Sequence, residues 1–323
     1  MAGALPEPPT VLFAHPAYQL AASFAKRRAA TPHRQVWTAA DAEAHLEDAD
    51  VLVLSGFWCN EWLTQAPKLK YVHVCAAGYD QYDQRAFADA GVLLANSSGV
   101  NVNAVSDHAM ALLLGLTRQI HLARDRQARA EWRATISEIG RREDELDGKT
   151  LVIYGLGGIG GRLARLAGAF GMRVLGVKRD TGVRVEGVEA LYPPERFTDL
   201  LAEADVVALT CPLTDETRGL IDAEALGRMK ETAYLINVAR GPVVDEAALV
   251  EALQSKGIAG AGLDVFDPEP LPAESPLWSL ENALITPHTG GETRRYEENV
   301  VDFLCENLDR LAIGDADLVN RIV

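Results

Sequence analysis

Three polar residues in the second half of the chain have the side chains that an acid–base site for a carboxylic acid requires. Arg240 lies in Asn-Val-Ala-Arg-Gly, Glu269 in Asp-Pro-Glu-Pro, and His288 in Pro-His-Thr-Gly-Gly. A guanidinium binds a carboxylate through two hydrogen bonds and polarises a neighbouring carbonyl. A histidine transfers a proton near neutral pH, and a glutamate on its other ring nitrogen favours the protonated ring. The set predicts proton transfer at a carbonyl next to a carboxylate, with no metal ion.

Taken singly, each residue also has an ordinary structural interpretation. An arginine before glycine is usually in a surface turn, a glutamate between prolines in a solvated loop, and a lone histidine in a structural contact. Their position favours the functional interpretation, because all three follow predicted strands and ligands gather at the carboxyl ends of the strands of a doubly wound sheet. The other histidines keep the structural interpretation: His15, His33, His45, His73, His108 and His121.

A glycine-rich turn separates a predicted strand, Leu151–Tyr154, from a helical pattern that begins near Arg162. The turn reads Gly-Leu-Gly-Gly-Ile-Gly, and between a strand and a helix this spacing is typical of dinucleotide binding. Gly155 would form the tight turn, Gly157 would admit the pyrophosphate, and Gly160 would let the helix pack on the strand. The same turn includes Gly158 and Ile159.

The residues that follow the next strand, Arg173–Val177, bear on the choice of cofactor. An NAD site usually has an acidic residue there to accept the ribose hydroxyls, whereas this chain has Lys178 and Arg179. A basic pair suits a 2′-phosphate, so the sequence favours NADP over NAD. The alternative is that the pair is a solvated loop and that Asp180 reaches back to the ribose.

Strands and helices that alternate along the chain carry these motifs, a pattern typical of parallel α/β sheets. The predicted strands of a first unit are Val11–Ala14, Val51–Leu54, Tyr71–Val74 and Val92–Ala95. Those of a second unit are Leu151–Tyr154, Arg173–Val177, Val206–Thr210, Tyr234–Val238, Gly260–Asp264 and Ala283–Thr286. Apolar stripes predict one long helix from Asn103 to Arg126 and another from Arg294 to Ile313.

Composition narrows the class of protein. The 323 residues, 48% of them hydrophobic, suffice for two domains with separate cores. A net charge of −15 argues against a nucleic-acid or anionic-membrane partner, which would need a basic face. The four cysteines are widely spaced and fit neither a disulfide framework nor a zinc site. We therefore expect a cytoplasmic protein without a membrane or nucleic-acid partner.

Five motifs, taken in order, resemble the D-isomer-specific 2-hydroxyacid dehydrogenase family. They are the glycine turn at 155–160 and the segments Cys211–Ile221, Asn237–Leu249, Asp264–Pro270 and Thr286–Gly291. The resemblance extends from about Val51 to Val323. It implies an oxidoreductase that transfers a hydride between NAD(P)H and C2 of a small 2-keto or 2-hydroxy acid, with D stereochemistry.

The resemblance also implies roles for particular residues. Arg240, Glu269 and His288 would be catalytic, and Arg240 and His288 would contact the substrate. The backbone N–H groups of a loop in the first unit would bind its carboxylate: Ala76, Ala77 and Gly78. Further cofactor contacts are implied at Cys211, Pro212, Val238, Asp264 and Gly290.

The domain organisation follows from the same resemblance. A flavodoxin-like substrate domain would comprise residues 1–101 and 293–323, because the last helix returns to the first unit. A Rossmann cofactor domain would comprise residues 102–292. Both are doubly wound parallel-sheet α/β domains, and the family implies a homodimer.

Two departures from the family pattern are visible. Asp107 stands where the family usually has Glu, and the basic pair Lys178-Arg179 replaces the NAD-type acid, as in members that resemble NADPH-preferring glyoxylate and hydroxypyruvate reductases. Elsewhere, Phe57 and Trp58 either line an aromatic pocket or pack in the core. The resemblance also implies that Trp132 would reach the site of a neighbouring subunit, as a similar Trp does in glyoxylate reductases.

Other activities remain as alternatives. A phosphoglycerate dehydrogenase usually has an arginine after the strand Val51–Leu54, where this chain has Ser-Gly-Phe-Trp. Formate dehydrogenases carry Gln beside the histidine, so Glu269 argues against that activity. The alternative from another class is a cofactor-sensing, corepressor-like binding protein with the same fold and the same three residue types.

Overall fold

The structure is a computed structural model that describes residues 5–79 and 81–323. The chain folds into two compact units. Unit 1 contains the described residues up to Asn101 together with Thr293–Val323, and unit 2 contains Val102–Glu292. No helix in the described ranges is both long and apolar enough to cross a membrane.

Strands and helices alternate in both units. The strands are β1 (Val11–Ala14), β2 (His33–Val36), β3 (Val51–Leu54), β4 (Tyr71–Val74), β5 (Leu93–Asn96), β6 (Thr150–Tyr154), β7 (Arg173–Val177), β8 (Ala190–Tyr192), β9 (Val206–Leu209), β10 (Tyr234–Asn237), β11 (Gly260–Leu263) and β12 (Ala283–Ile285). The helices are α1 (Leu20–Arg28), α2 (Ala39–Glu43), α3 (Trp62–Gln65), α4 (Gln84–Ala90), α5 (Val102–Thr117), α6 (Ile120–Ala128), α7 (Gly158–Ala169), α8 (Phe197–Leu200), α9 (Ala223–Arg228), α10 (Glu246–Gln254) and α11 (Tyr296–Ala312).

The sheet of unit 1 is parallel, with the order β2-β1-β3-β4-β5, which is the flavodoxin-like order. Its central strands are apolar and buried along their whole length, as expected when helices cover both faces. The sequence missed β2, because His33–Val36 is an edge strand in which only Val36 is buried. Strands of this kind carry little hydrophobic signal.

The last helix, α11, packs in unit 1. Val300, Leu304 and Leu308 are buried in the same core as residues of β1 and β3. Ion pairs from Arg27 and Arg28 of α1 to acidic residues of α11 accompany this packing. Packing of the final helix on residues from the start of the chain makes unit 1 discontinuous in sequence.

Unit 2 contains a parallel sheet with the order β12-β11-β10-β9-β6-β7-β8. Counted from β6, this is the Rossmann order 3-2-1-4-5-6 with one further strand at the edge. The fold class predicted from the sequence, two doubly wound parallel-sheet α/β domains, is therefore confirmed. The prediction missed β8, a three-residue edge strand whose residues are only half-buried.

The prediction of one helix from Asn103 to Arg126 is wrong in one respect, because the structure has two helices in this range. α5 ends at Thr117 and α6 begins at Ile120. Between them Gln119 has φ +51°, in the left-handed region where a helix cannot continue. Its side-chain amide donates to the Arg141 carbonyl oxygen at 3.0 Å, and this contact stabilises the break.

Candidate active site

The structure brings His288 and Glu269 together. His288 Nδ1 lies 2.7 Å from Glu269 Oε2, and the other carboxylate oxygen accepts a hydrogen bond from Phe266 N at 3.0 Å. Glu269 is thus oriented by the backbone of its own loop. Both side chains remain partly exposed, so the second ring nitrogen of His288 is accessible to a ligand.

His288 has an unusual backbone conformation. Its φ is +54°, which non-glycine residues adopt rarely and at a cost of about 1–3 kcal/mol. The turn is closed by a hydrogen bond from His288 N to the Thr286 carbonyl oxygen at 3.0 Å. The surrounding loop therefore presents the ring in an orientation that this position would not adopt unaided.

Arg240 lies on the neighbouring loop, after β10. Buried Asn237 shapes this loop, because its side-chain oxygen accepts from Ala239 N at 3.0 Å and its amide donates to the Arg240 carbonyl oxygen at 3.1 Å. The loop passes close to the one that carries Glu269, since a Cβ atom on Gly241 would lie 2.0 Å from the Phe266 carbonyl oxygen.

The Arg240 guanidinium is half-buried and donates to the Ala239 carbonyl oxygen at 2.7 Å. Within residues 5–79 and 81–323 it forms no ion pair with a carboxylate. Its remaining donors are thus available to an anion.

Asp264, at the end of β11, holds the loop that carries His288. One of its oxygens accepts hydrogen bonds from Thr286 Oγ1 at 2.6 Å and Thr289 N at 3.0 Å, and the other accepts from Gly290 N at 2.9 Å. His108 Nε2 of α5 lies 3.3 Å from the first oxygen. The residues on both sides of His288 are therefore bound to one buried carboxylate.

The charge on Asp264 is stabilised by these donors. Burial alone would raise the pKa of its carboxyl, but the hydrogen bonds from His108, Thr286 and Gly290 outweigh that effect, and the pKa is lowered. Because the single Thr286 hydroxyl hydrogen points to Asp264, its oxygen accepts from His108 Nε2, 2.8 Å away. His108 therefore carries a hydrogen on Nε2. Sequence reasoning placed His108 among the structural histidines and missed this contact.

The glycine turn offers a cradle for an anion. Gly155 has φ +101°, and a Cβ there would lie 2.7 Å from the backbone of Cys211; a Cβ on Gly160 would lie 2.2 Å from the Gly155 carbonyl oxygen. Gly157 faces open space instead. It precedes the twelve-residue helix α7, whose first turn has no side-chain cap, so its N–H groups are free for phosphate oxygens. These residues fit a dinucleotide pyrophosphate.

The sequence suggested that the helix after the glycine turn begins near Arg162. In the structure it begins at Gly158, because the glycines themselves form its first turn.

The basic pair lies directly after β7. Lys178 is half-buried and Arg179 is exposed. The Asp180 carboxylate accepts a hydrogen bond from Gly182 N at 3.0 Å and so stabilises its own turn. Arg179 also contributes to the lowered pKa of Glu216, which results mainly from a hydrogen bond with Thr214.

The other predicted contact residues lie in several elements of the two units. Val238 and Cys211 are buried, and burial raises the pKa of the Cys211 thiol to about 11. Pro212 is exposed beside the glycine turn, and Ile159 is half-buried in the first turn of α7. Ala76, Ala77 and Gly78 belong to unit 1, directly after β4, and each is partly exposed.

Three further polar residues, His73, His121 and Asp107, make structural contacts. His73 is buried between the Tyr71 hydroxyl (2.6 Å) and the Ser97 hydroxyl (2.9 Å), and burial lowers its pKa to about 3. Both ring nitrogens of His121 lie within hydrogen-bond distance of carbonyl oxygens. Asp107, the shorter acid, forms an ion pair with Arg162 at 2.6 Å.

Phe57 and Trp58 have a different environment from Trp132. The Trp58 ring lies 4.8 Å from that of Phe87, and both Phe57 and Trp58 pack against the core of unit 1. Of the two interpretations of Phe57 and Trp58, packing in the core therefore agrees with the observed contacts. Trp132 is 99% exposed.

The Rossmann sheet, the glycine cradle and the paired histidine and glutamate define a dinucleotide-dependent oxidoreductase. The chain belongs to the D-isomer specific 2-hydroxyacid dehydrogenase family, whose NAD binding domain matches residues 110–290. It is 38% identical over 286 residues to a glyoxylate reductase of Korarchaeum cryptofilum, with 86% of this chain and 85% of that protein covered.

Two further relatives agree with this assignment. A glyoxylate/hydroxypyruvate reductase B of Serratia proteamaculans is 39% identical over 267 residues, which is 81% of each chain. The crystal structure of a family member from Aeromonas salmonicida subsp. salmonicida is 31% identical, with a TM-score of 0.84 over 98% of this chain and 99% of that one. The family membership inferred from the five motifs is confirmed.

Proposed function

We propose that this enzyme uses NADPH to reduce short 2-keto acids of the glyoxylate and hydroxypyruvate type to the D-2-hydroxy acids. The observation that carries the proposal is the exposed His288–Glu269 pair, 2.7 Å apart, on a loop held by buried Asp264. Family membership and the named reductases support the reaction class. They lend no support to a corepressor-like binding protein.

A reduced nicotinamide cofactor, which the glycine turn at 155–160 would hold, would supply the hydride for C2 of the keto acid. His288 donates a proton to the carbonyl oxygen as the negative charge develops there, and Glu269 holds the ring and stabilises its charged form. Arg240 binds the carboxylate and polarises the carbonyl. As the family resemblance implies, the N–H groups of Ala76, Ala77 and Gly78 in unit 1 are proposed to bind a substrate carboxylate, and unit 1 is proposed to be the substrate domain. Unit 2 serves as the cofactor domain.

The cofactor preference rests on Lys178 and Arg179. Two cations after β7 attract a 2′-phosphate, whereas the acid that follows them in sequence, Asp180, accepts a hydrogen bond from Gly182 N. The further contacts proposed for the cofactor are Gly155, Gly157, Gly158, Ile159, Gly160, Cys211, Pro212, Val238, Asp264 and Gly290.

The preference is tested with Lys178→Ser combined with Arg179→Ser. We expect kcat/KM for NADPH to fall roughly 10- to 100-fold, because the charge-assisted hydrogen bonds to the 2′-phosphate are lost. The kcat/KM for NADH should stay within a few-fold of the wild-type value. Asp180→Asn is the matched control and should leave the NADPH to NADH ratio unchanged. Equal kcat/KM for both cofactors in the wild-type enzyme would end the NADP assignment.

We also propose a cytoplasmic homodimer. Ile120, Trp132 and Ile139 of unit 2 are large, apolar and exposed, which is typical of a surface covered by another subunit. The four cysteines are free thiols, as in a reducing compartment. Light scattering of the purified protein tests the dimer, and a monomeric mass at micromolar concentration would contradict it.

The reaction itself is tested with glyoxylate, hydroxypyruvate, pyruvate and phenylpyruvate, by loss of reduced-cofactor absorbance. The enzyme should reduce the two small polar acids with the highest kcat/KM. Arg240→Lys keeps the charge but loses the planar fork, so kcat/KM should fall roughly 10- to 100-fold. If the wild-type enzyme reduces none of the four acids with either cofactor, the proposed function is wrong.

A further inference from the structure

The loop after β4 is held through its carbonyl oxygens. Three consecutive carbonyl groups accept hydrogen bonds from other parts of unit 1. The pairs are Tyr296 Oη with the Cys75 oxygen (2.8 Å), Ser97 N with the Ala76 oxygen (3.1 Å), and Asn96 Nδ2 with the Ala77 oxygen (2.6 Å). Two donors belong to the end of β5 and the residue after it, and the third is the first residue of α11.

These contacts determine where the N–H groups of the loop point. Each peptide group is planar and trans, so a carbonyl oxygen held on one side directs the N–H of the following residue to the other side. The three held carbonyls therefore orient the N–H groups of Ala76, Ala77 and Gly78. In the part of the chain that the structure describes, none of these three N–H groups donates to an acceptor. The loop offers its donors to an anion.

Tyr296 is itself held firmly. Its side chain is buried, and its ring lies 4.7 Å from that of Tyr18, which stacks on His15 at 4.2 Å. Burial raises the pKa of the Tyr296 hydroxyl, so the group remains a protonated donor to Cys75. Because the ring cannot turn freely in this packing, the hydroxyl acts as a fixed donor.

We propose that Tyr296 is a positioning residue for substrate recognition: it holds the Cys75–Ala76 peptide group so that the Ala76 N–H is oriented toward the substrate carboxylate. The inference rests on the proposed function, because it assigns the carboxylate to this loop. Tyr296 follows His288 by eight positions, so one segment carries both the proton donor and a residue that orders the carboxylate site.

The test is Tyr296→Phe, which keeps the ring and its packing and removes only the hydroxyl. We expect the KM for glyoxylate to rise about three- to tenfold, while kcat stays within about twofold, since one oriented donor is lost in both ground and transition states. Oxalate, which carries the carboxylate but no reducible carbonyl, should show the same increase in its competitive Ki. The Kd for NADPH, measured by fluorescence, should not change, because the glycine turn lies in unit 2.

Tyr82→Phe is the matched control. Tyr82 is also buried in unit 1, and among the described residues its hydroxyl makes no hydrogen bond to the carbonyl groups of Cys75, Ala76 or Ala77. This control should leave KM and Ki unchanged. A second variant, Asn96→Ala, removes the donor to the Ala77 oxygen and should give a similar rise in KM and Ki.

The outcomes separate the inference from the proposed function. If the wild-type enzyme reduces glyoxylate but Tyr296→Phe keeps the wild-type KM and Ki, the positioning role is wrong and the proposed function stands. A change in NADPH affinity or kcat as large as the change in KM would indicate general damage and would also overturn the role. If the wild-type enzyme reduces no 2-keto acid and oxalate does not bind, the proposed function fails and the inference fails with it.

Discussion

Unit 2 contains two histidine–carboxylate pairs that differ in their surroundings. In the His288–Glu269 pair the side chains are 46% and 36% exposed, and the nitrogen and oxygen are 2.7 Å apart. In the His108–Asp264 pair they are 22% and 4% exposed, and the atoms are 3.3 Å apart. Asp264 has donors on both oxygens, three of them from the loop that carries His288.

The difference shows how the same two residue types serve different purposes. An exposed pair with a free ring nitrogen can exchange a proton with a substrate. A buried carboxylate surrounded by donors is held in its charged form and organises the backbone around it. The first pair therefore suits chemistry, and the second positions it. Substitutions in the two pairs should affect different measurements.

The largest expected effect is on catalysis, at the exposed pair. His288→Ala should lower kcat roughly 10²- to 10⁴-fold, the usual contribution of a general acid. Its thermal midpoint should stay close to that of the wild type, because the ring is exposed. His288→Asn is a more stringent test than His288→Ala, because Asn tolerates the left-handed backbone conformation of this position. This variant should be as inactive as His288→Ala. A near-wild-type rate for either variant would remove His288 from the mechanism.

A smaller effect, on stability, is expected at the buried carboxylate. Asp264→Asn places amide hydrogens against donors of the 286–290 loop and should lower the free energy of unfolding by about 1–3 kcal/mol at neutral pH. Folding lowers the pKa of Asp264, so its contribution is present above the ordinary carboxyl range and is lost as pH falls through the lowered value. The difference between variant and wild type should therefore shrink as the pH falls below the ordinary carboxyl range. A difference in thermal midpoint that is independent of pH would contradict a charged Asp264.

The smallest effect is expected for His108→Gln. Glutamine can still donate to Thr286 Oγ1, so the loss should be about 0.5–1.5 kcal/mol of stability or less, with kcat within a few-fold of wild type. The measurement is a thermal midpoint together with steady-state kinetics. If His108→Gln lowered kcat as much as His288→Ala, the distinction between a chemical pair and a positioning pair would fail.

Much of the fold could be read from local pattern. The apolar runs at β1, β3 and β4 match the predicted bounds, and most other predicted strands differ by one residue at an end. The errors occur where the local signal is weak: the polar edge strand β2, the short β8, and the helix break at Gln119. A left-handed residue in an amphipathic stretch leaves the hydrophobic period almost unchanged, so periodicity alone reads one long helix.

The candidate site divides in the same way. Arg240, Glu269 and His288 were visible because their motifs carry recognisable residue types at strand ends, and Glu269 and His288 are indeed adjacent. His108 and Tyr296 were not selected, since nothing near them in sequence marks their partners. His108 meets Thr286 across 178 positions, and Tyr296 meets Cys75 across 221.

The sequence by itself determined the family, the two doubly wound sheets and the identity of the side chains suited to the chemistry. These depend on residue type, periodicity and order, which are local properties of a chain. Only the tertiary structure decided which histidine supports Asp264, which backbone N–H groups remain free, and which tyrosine orients one of them. Such contacts depend on how distant segments pack, and packing places together residues between which no local pattern exists.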